Sequence, residues 1–107
     1  MMNIPKLPQH KLIAYEVSLR LLEAVMRSRI VDSNLRSQAL RAAKSTCLNC
    51  AEGAGRVTPA DKARVFTIAR GEACEAAAAV EIAGSLERRA QPTQRRSPCW
   101  PTAWWRC

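Results

Sequence analysis

The chain predicts an all-α fold, an antiparallel up-down helical bundle, on three observations. Apolar residues recur at helical spacing in three long segments, no segment alternates apolar and polar residues as a half-buried strand would, and helix-start and helix-stop residues separate the segments. The 107 residues amount to one small domain with a single modest core, and an apolar content of 48% suits a folded chain.

Helix one is expected over about 9–29. Leu12, Tyr15, Leu19, Leu22 and Met26 follow a 3-4-3-4 spacing and share one stripe, with Ala14, Leu21 and Val25 forming a second stripe beside it. Helix two is expected over 33–53 after Asp32, a good N-cap. Its inward positions are Leu35, Ala39, Ala42, Ala43, Thr46, Cys47 and Cys50, mostly small residues that permit close approach. Gly53 and Gly55 are expected to end it in the left-handed conformation of a helix stop. Helix three is expected over 59–86, with Thr58 as N-cap, Pro59 at the first helical position and Asp61 in the first turn. It runs through the apolar Val65, Ile68, Ala76, Ala79 and Ile82.

Residues 87–107 form an irregular basic tail of Arg, Pro and Trp without apolar periodicity. All three Trp (Trp100, Trp104, Trp105) fall here. Two explanations compete, a native basic tail and a reading-frame shift, and a composition typical of GC-rich codons read out of frame favours the shift. The net charge of +8 divides evenly, +4 on residues 1–86 and +4 on the tail, so the helical body is only mildly basic. A basic chain points to nucleic acid or another anionic surface as partner. No run of apolar residues is long enough to span a membrane, and the N-terminus lacks the apolar core of a signal peptide. Five Cys without an export signal read as reduced thiols in the cytoplasm.

The charged residues carry a register. Arg41, Ser45, Asn49, Glu52 and Arg56 share one face of helix two, and Arg64, Ile68, Gly71 and Glu75 share one face of helix three. Folding the two helices antiparallel about Val57–Thr58 sets Arg41 opposite Glu75, Ser45 opposite Gly71 and Glu52 opposite Arg64. Each acid meets a base, so these residues read as a structural ion-pair set that fixes hairpin register, in preference to a catalytic centre.

Other sites read more plainly. Gly53 and Gly55 follow no strand and precede no Gly-Lys-Ser/Thr, which excludes a phosphate loop. Cys47 and Cys50 lie within a helix, with no second Cys pair at finger spacing and one His in the chain, His10, so they read as small apolar core residues and no metal or cofactor is expected. Lys44, Lys62, Arg70 and Arg36, with Arg27 and Arg29, are candidate nucleic-acid contacts. Stacking aromatics are missing from the body, so contact would be to phosphate.

The segments RAAKSTCLNCAEGAGR and KARVFTIARGEACEAAAAVEIA carry a resemblance to the four-helix-bundle family also called the 23S rRNA intervening-sequence protein family. The resemblance spans about Lys11 to Ala83 and is most specific at Ala51–Arg56. Two residues depart from the pattern: Glu72 stands where Ser is usual, and Val65 separates Arg64 from Phe66. The family's fourth helix is replaced by the irregular tail. The resemblance implies an up-down bundle that assembles into rings, often five-fold. A related branch, the accessory proteins of diversity-generating retroelements, forms basic pentamers that engage reverse transcriptase and nucleic acid.

The expected function is that of a non-enzymatic cytoplasmic protein that self-assembles and binds RNA or DNA through a basic surface, with no small-molecule substrate and no membrane. The alternative is a structural oligomer or protein-interaction module with no nucleic-acid role. Without a fourth helix, an apolar groove along helices one and three is expected to lie open.

Overall fold

The computed structural model describes residues 6–90. They form a short 3₁₀ turn (Pro8–Lys11) and three helices, α1 (Ile13–Arg27), α2 (Ser33–Gly55) and α3 (Pro59–Ala90), with no strand among them. α2 and α3 are an antiparallel hairpin, and α1 lies along one flank, mainly against α2.

Helix one begins later than its periodicity suggests. Pro8 opens a tight turn in which the Leu7 N–H donates to His10 Nδ1 at 3.0 Å, and Leu12 is extended before α1 starts. α1 stops at Arg27 because Ser28 turns extended while its hydroxyl donates to the Val25 carbonyl at 2.6 Å. That turn carries Ile30 into the core, where 5% of it stays exposed. Asp32 caps α2, accepting from the Leu35 N–H at 2.9 Å, and the Thr58 hydroxyl accepts from the Asp61 N–H at 3.2 Å to start α3.

Both later helices outrun their expected ends. α2 continues through Gly53 to Gly55, and Arg56 ends it with an extended backbone (φ −72°, ψ 151°). Gly53 is therefore helical and buried, and its role is close approach: a Cβ there would sit 2.6 Å from the Phe66 ring. α3 runs to Ala90, four residues into the expected irregular tail, because Glu87, Arg88, Arg89 and Ala90 are good helix formers and the next Pro is Pro92. The rest of that tail, with its three Trp and the frame-shift reading, lies outside the described residues.

The core is built from small side chains. Ala39, Ala42, Ala43 and Ala76 are fully buried, joined by Val25, Ile30, Ala79 and Ala83, with Leu21, Leu22, Leu35, Leu40 and Val80 at its edge. Alanines at these positions let α2 and α3 approach closely over many turns. The same closeness leaves bulky neighbours outside. Leu19 and Met26 of the first α1 stripe, and Ile68 and Ile82 of α3, are all exposed. α1 touches one flank of the hairpin, so Ser18 and Val25 face the core and the far edge of its stripe faces solvent.

Candidate functional site

The hairpin has two long flanks of opposite character. On the polar flank, Arg41 Nη2 lies 3.4 Å from Glu75 Oε1, joining α2 to α3 at the expected register. A second tie between the helices lies near the turn, where the Lys62 side chain donates from Nζ to the Ala54 carbonyl at 2.9 Å. The expected Glu52–Arg64 pair is replaced by local pairs. Glu52 bonds Arg56, one turn on, and Arg64 bonds Asp61 at 3.0 Å, one turn back. Arg56 also reaches Asp61 at 3.4 Å, so the turn holds a chain of four charges. A partner three or four residues away on the same helix is met with less loss of side-chain freedom than one across the hairpin. The Glu52 hydrogen bond, then the Asp61 charge, hold the Arg56 guanidinium's proton more firmly than usual.

These pairs are surface features. Arg41 and Arg64 side chains are 67% and 59% exposed, so the structural ion-pair set expected from the spacing is a set of solvated pairs, of which only Arg41–Glu75 crosses between α2 and α3 as expected. Asn49 Nδ2 donates to the Ser45 carbonyl at 2.8 Å and to the Ser45 hydroxyl at 3.1 Å. Gly71, expected as a close contact for Ser45, is exposed, and a Cβ there would meet nothing within 4 Å.

The four candidate nucleic-acid contacts do not form one patch of free charges. Lys62 is half-buried on the Ala54 carbonyl, and Arg36 Nη1 lies 3.4 Å from the Ile30 carbonyl. Lys44 and Arg70 are exposed and make no hydrogen bond or ion pair among the described residues.

The second flank is apolar. Between α1 and α3, over a floor from α2, runs a groove of about 300 Å³. Leu12, Val17 and Leu21 form one wall, Phe66 and Ala73 the other, and Cys50 and Thr46 lie in the floor, with Arg70 beside them. The groove's hydroxyls are satisfied within the chain: Ser18 Oγ on α1 donates to the Tyr15 carbonyl at 2.6 Å and Thr46 Oγ1 in the floor to the Ala42 carbonyl at 2.8 Å. The Cys47 thiol donates to the Ser18 carbonyl at 3.2 Å.

Sequence reasoning missed Val17, Ser18 and Phe66 as groove residues, because periodicity marks an apolar face without saying what covers it. It also missed Glu72. The row Val65, Ala69, Glu72, Ala76, Ala79, Ala83 keeps 4-3-4-3-4 spacing, so a carboxylate on the α2-facing side of α3 was readable. Glu72 Oε2 is buried with no hydrogen-bond partner among the described residues.

Cys47 and Cys50 are free and buried, whereas Cys74 is free and exposed. Among the described residues no three His, Cys, Asp or Glu converge as metal ligands. Burial pushes the Cys50 thiol above its ordinary 9.0, and the neighbouring Cys47 adds to this against a lowering bond from Ser18. The native thiol thus keeps its proton to higher pH than the unfolded chain. Its contribution to stability is present below 9.0 and is lost as pH rises beyond that value. Iodoacetamide is accordingly expected to alkylate Cys74 readily while Cys47 and Cys50 react only on unfolding, as peptide mass mapping will show. Equal labelling of all three in the native protein would contradict the buried placement.

No helix among the described residues is long and apolar enough to cross a membrane. No curated protein and no solved structure matches the chain significantly. The model of one family, the 23S rRNA-intervening sequence proteins, matches residues 10–94, well over half of the sequence. With its three-helix architecture and the Ala51–Arg56 segment at the hairpin turn, the chain belongs to the 23S rRNA-intervening sequence protein family.

Proposed function

We propose that this protein is a non-enzymatic assembly protein of the cytoplasm whose copies associate through the groove between α1 and α3. One observation carries the reading. An apolar trough of about 300 Å³ runs beside exposed Ile13 and Val17, 77% and 55% accessible, and the hydroxyls that line it, on Ser18 and Thr46, are bonded within the chain. Contiguous apolar surface of this kind is the usual mark of a contact surface. Ring formation, as the family resemblance implies, would bury it.

In its sharper form the assembly carries RNA or DNA. The net charge of +8 supports this, and so do Lys44 and Arg70, exposed and unpaired among the described residues. The plainer alternative, an oligomer without a nucleic-acid role, is favoured by the engagement of Arg36 and Lys62 with backbone carbonyls.

Light scattering on the full chain tests the assembly. The wild type is expected to exceed the monomer mass, and Val17→Glu, which sets a charge in the groove wall, is expected to return it to monomer while circular dichroism stays helical. A Val17→Glu variant that assembles like the wild type would refute the groove as the contact. Adding RNA at low and high salt separates the two forms. Phosphate-driven binding falls steeply with salt and ignores base sequence, whereas the plain oligomer shows no binding at either salt.

A further inference from the structure

α1 has two usable edges. Ala14, Val17 and Leu21 face the groove, and at about 100° per residue Leu19, Glu23 and Met26 fall on the opposite edge in 4-3 spacing. Leu19 and Met26 are 39% and 66% exposed. Glu23 is exposed and makes no hydrogen bond or ion pair among the described residues.

The groove specifies what it can receive. Its hydroxyls, on Ser18 and Thr46, are already spent on backbone carbonyls, so an occupant meets apolar surface throughout, and Arg70, which makes no hydrogen bond or ion pair among the described residues, stands beside it. The complement is a convex apolar ridge carrying one acid about a turn from its bulky side chains. The outer edge of α1 has that composition. Exposed Ile68 and Ile82 on α3 have no such free acid at Glu75, which is already engaged by Arg41.

We propose that the Leu19–Glu23–Met26 edge of one copy seats in the α1/α3 groove of a second copy, with Glu23 against that copy's Arg70. This rests on the self-association reading and names its contact. Ridge and groove are different surfaces of the same chain, so the contact is head-to-tail. Each copy gives one edge and receives another, and assemblies grow past two copies until they close or remain open. Apolar burial supplies the attraction, and the Glu23–Arg70 pair sets the register. Arg70 is thereby removed from the candidate nucleic-acid surface.

Sedimentation equilibrium on the full chain tests this with Glu23→Arg, Arg70→Glu and the double exchange. Both side chains are exposed, so each variant is expected to keep its helical spectrum. Setting like charges together in the contact is expected to weaken association about tenfold or more in each single variant. The double exchange is expected to recover to within a few-fold of wild type. A one-to-one mixture of the two single variants should also assemble, because ridges and grooves then match in alternation. Single variants that associate like the wild type, or a double exchange as weak as the singles, overturn the contact while leaving self-assembly standing. A wild type that stops at two copies overturns the head-to-tail geometry. A wild type that is monomeric throughout overturns the assembly reading and this contact together.

Discussion

Replacing Ala76 with Leu is expected to lower the stability of the fold by about 3 kcal/mol, the upper end of what overpacking a close-fitting core costs. Ala76 is fully buried and belongs to the same core cluster as Ala39, Ala42 and Ala43, each also at 0% exposure. Three added carbons have no space unless α2 and α3 separate, and separation undoes alanine contacts along the hairpin. Ala77 is the control. It is exposed, so Ala77→Leu is expected to shift stability by no more than about 0.5 kcal/mol. Urea unfolding followed by circular dichroism checks both. Similar midpoints for the two variants would show that the helices are not held at close distance by their alanines.

A substitution of opposite sign is expected one turn earlier. Glu72→Met should raise stability by about 1–3 kcal/mol, the usual cost of a buried polar group without a partner. Glu72 Oε2 is such a group, on the α2-facing row of α3. Met keeps the length and helix propensity of Glu while removing both the charge and the unpaired oxygen. Glu72→Gln keeps a polar group in the same place and should gain less. Removing Arg41 or Glu75 should matter less than either change, because that pair is exposed at 67% and 42% and is worth about 0–1 kcal/mol. If Glu72→Met destabilises the protein while Arg41→Ala costs more than about 2 kcal/mol, charge and not close packing holds the hairpin together.

How far the structure could be read in advance follows from the range of each interaction. The starts of α2 and α3 were legible because capping is local: Asp32 bonds Leu35 and Thr58 bonds Asp61 within three residues, whereas α1 has no side-chain cap and starts later than expected. Hairpin register was legible at Arg41 and Glu75, which have no opposite charge of their own helix bonded to them and so meet across the hairpin. The same reasoning failed for Glu52 and Arg64, where Arg56 and Asp61 offer nearer partners. Gly53 was misread for a different reason. Glycine near a helix end signals either a stop or a close approach, and the Phe66 ring that decides between them lies in the next helix.

The groove was legible as a consequence of topology but not residue by residue. α1 is apolar on several sides, and sequence periodicity cannot say which of Val17, Leu19, Leu21 or Met26 is covered. Packing decides this: the alanine rows draw α2 and α3 together and leave α1 on one flank, so Val25 is buried while Met26 beside it is 66% exposed. The candidate nucleic-acid residues were the least legible, since nothing in their spacing showed that Lys62 and Arg36 would be drawn onto carbonyls.

Central to this account is an alanine-packed hairpin that leaves one apolar flank for another copy of the same chain. Sedimentation equilibrium of the full chain, over a wide concentration range at low and at high salt, tests it most directly. Burial of the groove predicts mass that rises with concentration and an association that persists in high salt, because apolar contact is not screened as charge is. A particle that stays at the mass of one chain across the whole range, at both salts, would contradict it.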